Sequence, residues 1–147
     1  MINSKLIYKV LGQLLFIEAF LLFISLLVAY YYQQDDIFAF IVATLITIGG
    51  GLILKWKGHG ADNSMSRRDA YLVVSLSWII FSLFGTLPFM VSGYINNFTD
   101  AYFETMSGFT TTGATILDDV ECVPHGLLFW RSLTQWIGGL GIVFFTI

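Results

Sequence analysis

The segment Gly108-Phe109-Thr110-Thr111-Thr112-Gly113-Ala114-Thr115 gathers hydroxyls, backbone carbonyls and two glycines into one short stretch. Oxygen ligands of this kind suit the passage of a dehydrated cation. Carbonyls replace the ion's water without a full counter-charge that would trap it. Threonine adds a hydroxyl oxygen and a stiff χ1. Successive carbonyls must face one side, which strand geometry forbids. Gly113 can take the positive φ that allows it. The plain alternative is a hydroxyl-rich turn between two helices, and composition alone does not separate the two.

The surroundings bear on that choice. The chain has 147 residues, of which 56% are hydrophobic and only 12% charged. Soluble domains carry about 25% charged residues, so this chain cannot cover a soluble surface and reads as an integral membrane protein. Val10 to Tyr32 and Ile37 to Leu54 are apolar runs of spanning length, joined by the turn Gln33-Gln34-Asp35-Asp36. Ala70 to Ile95 is a third span, with Pro88 near its end as a kink or stop. Pro124 to Ile147 contains a fourth. Its apolar run continues to the last residue with no polar stop, which predicts a piece of a longer protein.

Between the third and fourth spans, Phe98 to Phe109 reads as a short helix that Thr99 or Asp100 can cap. It reaches only about halfway across the bilayer core. Gly108 suits its C-terminal end. The chain must then return outward through Thr110 to Ile116 toward Asp118, Asp119 and Glu121. A descending half-helix, an extended return and an acidic mouth make a re-entrant pore loop. The half-helix points its negative end at the midplane, which favours a cation there. Irregular backbone at membrane depth is tolerated only inside protein or along a watery path.

Six of the seven Lys and Arg residues lie near the N-terminus or between Lys55 and Asp69, whereas the two outer segments carry acids. The positive-inside rule therefore places the N-terminus and that basic loop in the cytoplasm. Tyr30 to Tyr32, Trp56, Tyr71 and Tyr94 fall near span ends, as an aromatic belt requires. The expected fold is an all-α polytopic membrane protein: four membrane-spanning helices plus a re-entrant pore half-helix and filter loop. It divides into a helical hairpin (1–54), a cytoplasmic basic loop (55–69) and a helix–pore-loop–helix repeat (70–147).

Phe103-Glu104-Thr105-Met106-Ser107-Gly108-Phe109-Thr110-Thr111-Thr112-Gly113-Ala114-Thr115 and Trp130-Arg131-Ser132-Leu133-Thr134-Gln135-Trp136-Ile137-Gly138-Gly139-Leu140-Gly141 resemble the Trk/Ktr/HKT superfamily of potassium transporters, nearest its bacterial TrkH branch. The resemblance is carried by Ala70 to Ile147. The first hairpin fits the branch's N-terminal two-helix unit by layout. The resemblance implies four such repeats in one chain around a central pore, of which this sequence holds one. It implies filter positions Thr111, Thr112, Gly113 and Ala114 with Thr110 beneath, and K⁺ at Thr111, Thr112 and Gly113. Potassium is the transported ion, and no bound cofactor is expected. Some sodium-permeable plant relatives carry serine at the filter glycine, so Gly113 favours potassium. The tyrosine that follows the glycine in potassium channels is missing here. The resemblance also implies a homodimer and a cytoplasmic nucleotide-binding regulatory ring like TrkA.

Several residues carry two readings each. Arg131 either pairs with Glu104 and braces the loop or snorkels to the headgroups. Glu18, in mid-span, is an ion or proton site, or a protonated or hydrogen-bonded residue facing another helix. Gly138, Gly139 and Gly141 mark close helix packing or a hinge. Asn97-Phe98-Thr99 matches a glycosylation sequon by coincidence. His59, His125 and the single Cys122 have no metal-ligand spacing. No nucleophile–base pair or phosphate loop appears, which speaks against an enzyme. A non-conducting membrane scaffold or assembly subunit is the competing class. Three further glycine-centred pore loops downstream would decide between it and a transporter.

Overall fold

A computed structural model describes residues 3–61 and 66–146, with side chains through 141. Six helices account for most of the described residues: α1 (Ser4–Tyr32), α2 (Ile37–Lys57), α3 (Arg67–Gly85), α4 (Leu87–Val91), α5 (Phe98–Phe109) and α6 (His125–Thr146). Three stretches among the described residues are long and apolar enough to cross a membrane: Ser4–Tyr32, Ile37–Lys57 and Arg67–Val91. The fourth predicted span falls on α6, whose side chains beyond 141 lie outside the described residues.

α1 and α2 form the predicted hairpin and pack along most of their length. Small residues meet in their seam: a Cβ on Gly12 would lie 2.9 Å from the Gly51 carbonyl, and one on Gly51 would lie 3.3 Å from the Gly12 carbonyl. Small side chains let helix backbones approach closely where lipid is as apolar as leucine. Both helices run beyond the sequence estimate, because the flanking turns stay helical into the charged ends. α1 begins at Ser4, capped by the Asn3 side chain on the Leu6 N–H at 3.2 Å. Tyr31, Trp56 and Tyr71 are 75–80% exposed at helix ends, in keeping with the predicted belt.

The third apolar stretch differs from the predicted single span over 70–95. It starts at Arg67 because Ser66 and Asp69 close a reciprocal capping box. Asp69 also accepts the Asn3 N–H at 3.0 Å, which ties the chain start to this helix. The helix then breaks at Thr86, whose hydroxyl bonds back to the Leu83 carbonyl at 2.7 Å. Pro88 sits in the first turn of α4, where its missing N–H costs nothing. The break thus lies just before Pro88, as expected for a residue that cannot continue a ladder.

The main core joins the hairpin to the rest. Leu22, Phe40, Phe89, Phe109, Leu127 and Trp130 meet in one buried cluster. Trp130 is fully buried and donates its indole N–H to the Gly85 carbonyl at 3.1 Å, at the end of α3. Carbonyls of a broken helix end need such partners. α5 lies between α3 and α6.

Candidate pore loop

α5 opens on Asn97, whose extended backbone lets its side chain accept the Thr99 N–H at 3.1 Å. Neither Thr99 nor Asp100 is the cap; both already lie inside the helix. Asp100 occupies the first turn, where its charge suits the dipole. Gly108 does not end the helix either. It is buried inside the last turn against Thr134 of α6, and Thr110 is the C-cap.

The turn that follows is tied back to the helix. The N–H groups of Thr110, Thr111 and Thr112 donate to the carbonyls of Met106, Gly108 and Ser107 at 2.9, 2.9 and 3.0 Å. Thr111 has φ 55° and Gly113 φ 76°, and Thr112 between them is not in the positive-φ region. A β-branched residue at positive φ is a backbone outlier that costs about 1–3 kcal/mol. Such residues persist only where the surroundings over-determine them. An added Cβ at Gly113 would meet nothing within 4 Å, so that glycine serves φ rather than space. Residues 111–116 are all exposed.

Four hydrogen bonds hold the segment 114–116 to α5. The Ser107 hydroxyl donates to the Ala114 carbonyl at 2.6 Å. The Thr115 hydroxyl bonds Glu104 at 2.9–3.0 Å, and the Ile116 N–H donates to Glu104 Oε2 at 3.0 Å. Glu104 is 2% exposed and also pairs with Arg131 Nε at 2.5 Å. One carboxylate therefore joins α5, the segment that follows it and α6. The Arg131–Glu104 pair is the contact that the bracing reading requires. α6 lies close behind the loop because Gly138 has no side chain; a Cβ there would run into the Phe109 carbonyl. Close packing is thus the role of Gly138.

Beyond the loop, a cavity of about 530 Å³ is lined by Tyr94–Asn97, Asp100, Ile116–Asp119 and Cys122. Two of the three predicted mouth acids, Asp118 and Asp119, line it, and Glu121 does not. Asp119 accepts the Glu121 N–H and the Cys122 thiol. Those bonds hold its carboxyl below the usual range and push the Cys122 thiol up. Among the described residues no group of three metal-ligating side chains occurs.

Glu18 is 2% exposed, and neither carboxylate oxygen has a hydrogen-bond partner among the described residues. A Cβ on Gly85 would lie 3.4 Å from Glu18 Oε1 and also against Thr105 and Phe109 of α5. Glu18 therefore faces the junction of α3 and α5. Sequence reasoning missed Ser107, Thr115, Asp36 and Gln34. The Asp36 carboxylate, 1% exposed, accepts the Leu127 N–H at 3.2 Å, and Gln34 accepts the His125 N–H at 2.7 Å. Partners so far apart in sequence leave no local signal.

A short capped helix, a turn with two positive-φ residues and a stapled irregular segment between two longer helices define a membrane protein built around a helix–loop–helix unit. The TrkH model, described as a cation transport protein, matches residues 33–147. The chain belongs to the TrkH family. It is 35% identical over 96% of its length to the Trk system potassium uptake protein TrkH of Halomonas elongata, and 34% identical over 96% to that of Escherichia coli K12. It is also similar to the crystal structure of the potassium transporter TrkH from Vibrio parahaemolyticus, with TM-score 0.88 and 30% identity over 95% of this chain. The chain spans about 30% of the length of these relatives.

Proposed function

We propose that this chain is the N-terminal part of the pore-forming subunit of a Trk-type potassium uptake protein in the plasma membrane, with its N-terminus cytoplasmic. It is a transporter rather than an enzyme, and K⁺ is its substrate ion. The alternating sign of φ at Thr111, Thr112 and Gly113 carries the reading. Alternation of hand turns successive carbonyls sideways toward one face, whereas in a helix they lie along the axis. Carbonyls of Thr111, Thr112 and Gly113 then serve as one quarter of the ligand ring for K⁺, with Thr110 beneath. Ala114 belongs to the same filter and anchors it, since Ser107 holds its carbonyl.

The electrostatics agree with this reading. The C-terminal end of α5 turns its carbonyls toward the loop, favouring a cation. Glu104 is neutralised by Arg131 and is occupied as a staple, so it does not trap the ion. Asp118 and Asp119 raise the cation concentration at the outer mouth. The loop's exposed face fits three further repeats of the same chain, which complete the ring. A homodimer and a TrkA-like cytoplasmic nucleotide-binding ring are the expected partners. α6 is the fourth spanning helix, and α5 is re-entrant.

Gly113→Ser in the complete protein tests the filter. Rubidium uptake should fall and sodium uptake rise relative to it. If both uptake rates match wild type, Gly113 is not a filter residue.

A further inference from the structure

Asp36 has an unusual division of labour. Its backbone is the N-cap of α2, yet its side chain makes no capping bond to that helix. The carboxylate reaches instead to the start of α6, where Oδ2 accepts the Leu127 N–H. The Gly126 N–H faces the same carboxylate, and a Cβ on Gly126 would collide with it. Gln34 takes the neighbouring N–H, that of His125, at 2.7 Å and also meets its ring Nδ1 at 3.1 Å. Tyr32 stacks on the His125 ring at 4.1 Å and 11°. The outer turn of the hairpin thus satisfies the free N–H groups with which α6 begins. An N-cap is ordinarily supplied by the residue that immediately precedes the helix; here it comes from residues 91 positions earlier in the chain.

Arg131 lies one helical turn after Leu127. A slip of one residue in α6 would turn Arg131 by about 100° and shift it by about 1.5 Å. A contact of 2.5 Å to Glu104 does not survive that. Near its middle α6 is located by Gly138 against Phe109. We infer that Asp36 is a positioning residue for the pore loop: it sets the register of α6, which places Arg131 on Glu104 and so seats Thr115 and Ile116. The N-terminal hairpin then has a task in the pore, although none of its residues touches the loop through the bonds described above. This role rests on the transport reading only for its consequence in uptake; the structural coupling stands apart from it.

The experiment uses the complete protein in detergent and in cells. Hydrogen exchange is followed in peptides covering Leu127 and Ile116, alongside rubidium and sodium uptake. Asp36→Ala should speed exchange at Leu127 by about fivefold, as for loss of one N-cap. It should also speed exchange at Ile116, whose N–H is held by Glu104, and lower the rubidium-to-sodium uptake ratio. Asp36→Asn keeps an acceptor oxygen and should restore both. Faster exchange at Leu127 with Ile116 unmoved overturns the proposal, because the cap would then be purely local. If Asp36→Ala fails to accumulate, Gln34→Ala gives the same comparison with a weaker cap. If Asp36→Ala speeds exchange at both Leu127 and Ile116 but the wild-type protein takes up no rubidium, the transport reading is refuted and this one stands.

Discussion

Removing the Glu104 carboxylate is the most exacting perturbation of the loop. In Glu104→Ala, Arg131, Thr115 and the Ile116 N–H lose a common partner. Removing one member of a buried ion pair costs about 3–5 kcal/mol. The Arg131 side chain is 17% exposed and can recover some hydration, so the lower end, about 3 kcal/mol, is the better figure. That corresponds to about a hundredfold in the balance between seated and unseated loop. Arg131→Ala leaves Glu104 buried with only the Thr115 and Ile116 bonds, a loss of similar size. The double variant removes both charges together and should be little worse than either single one. Without coupling, the two losses would sum to about 6 kcal/mol. Rubidium uptake in cells lacking other potassium uptake, with thermal unfolding of the purified protein, reads the cycle. Additive losses would refute the bracing role, as would a wild-type uptake rate in Glu104→Ala.

Two further expectations concern the packing behind the loop and the cavity beyond it. Gly138→Ala should destabilise by about 1–3 kcal/mol through overpacking on the Phe109 carbonyl, despite alanine's better helix propensity. A raised unfolding temperature would contradict that close approach. At the mouth, Asp119 holds the Cys122 thiol above its ordinary value, so thiolate is scarce until alkaline pH. Asp119→Asn should lower that value, so that maleimide labels Cys122 faster at about pH 8 and the rate profile moves to lower pH. Asp119 itself sits below the usual range. The bonds that hold it favour the folded mouth above the unfolded carboxylate value of about 3.9 and are lost as pH falls through the folded value. The slow labelling should accordingly persist across neutral pH.

The sequence by itself determined the membrane class, the hairpin and the loop. Long apolar runs between charged turns need no tertiary information, because the bilayer acts on each helix alone. The residue types of 110–115 pointed to oxygen ligands, and Gly113 does take a positive φ. Local rules were less able to choose among neighbours: Asn97 rather than Thr99 or Asp100 caps α5, and Gly108 packs rather than terminates. Arg131 had two readings of equal standing until the fold brought Glu104 to it. Only the tertiary structure decided that Ser107 holds Ala114, that Thr115 and Ile116 share Glu104, and that Asp36 caps a helix far along the chain. A helix's own sequence reports its period and ends within a turn or two. Which foreign side chain reaches its free N–H groups depends on how the helices cross, and that is a property of packing.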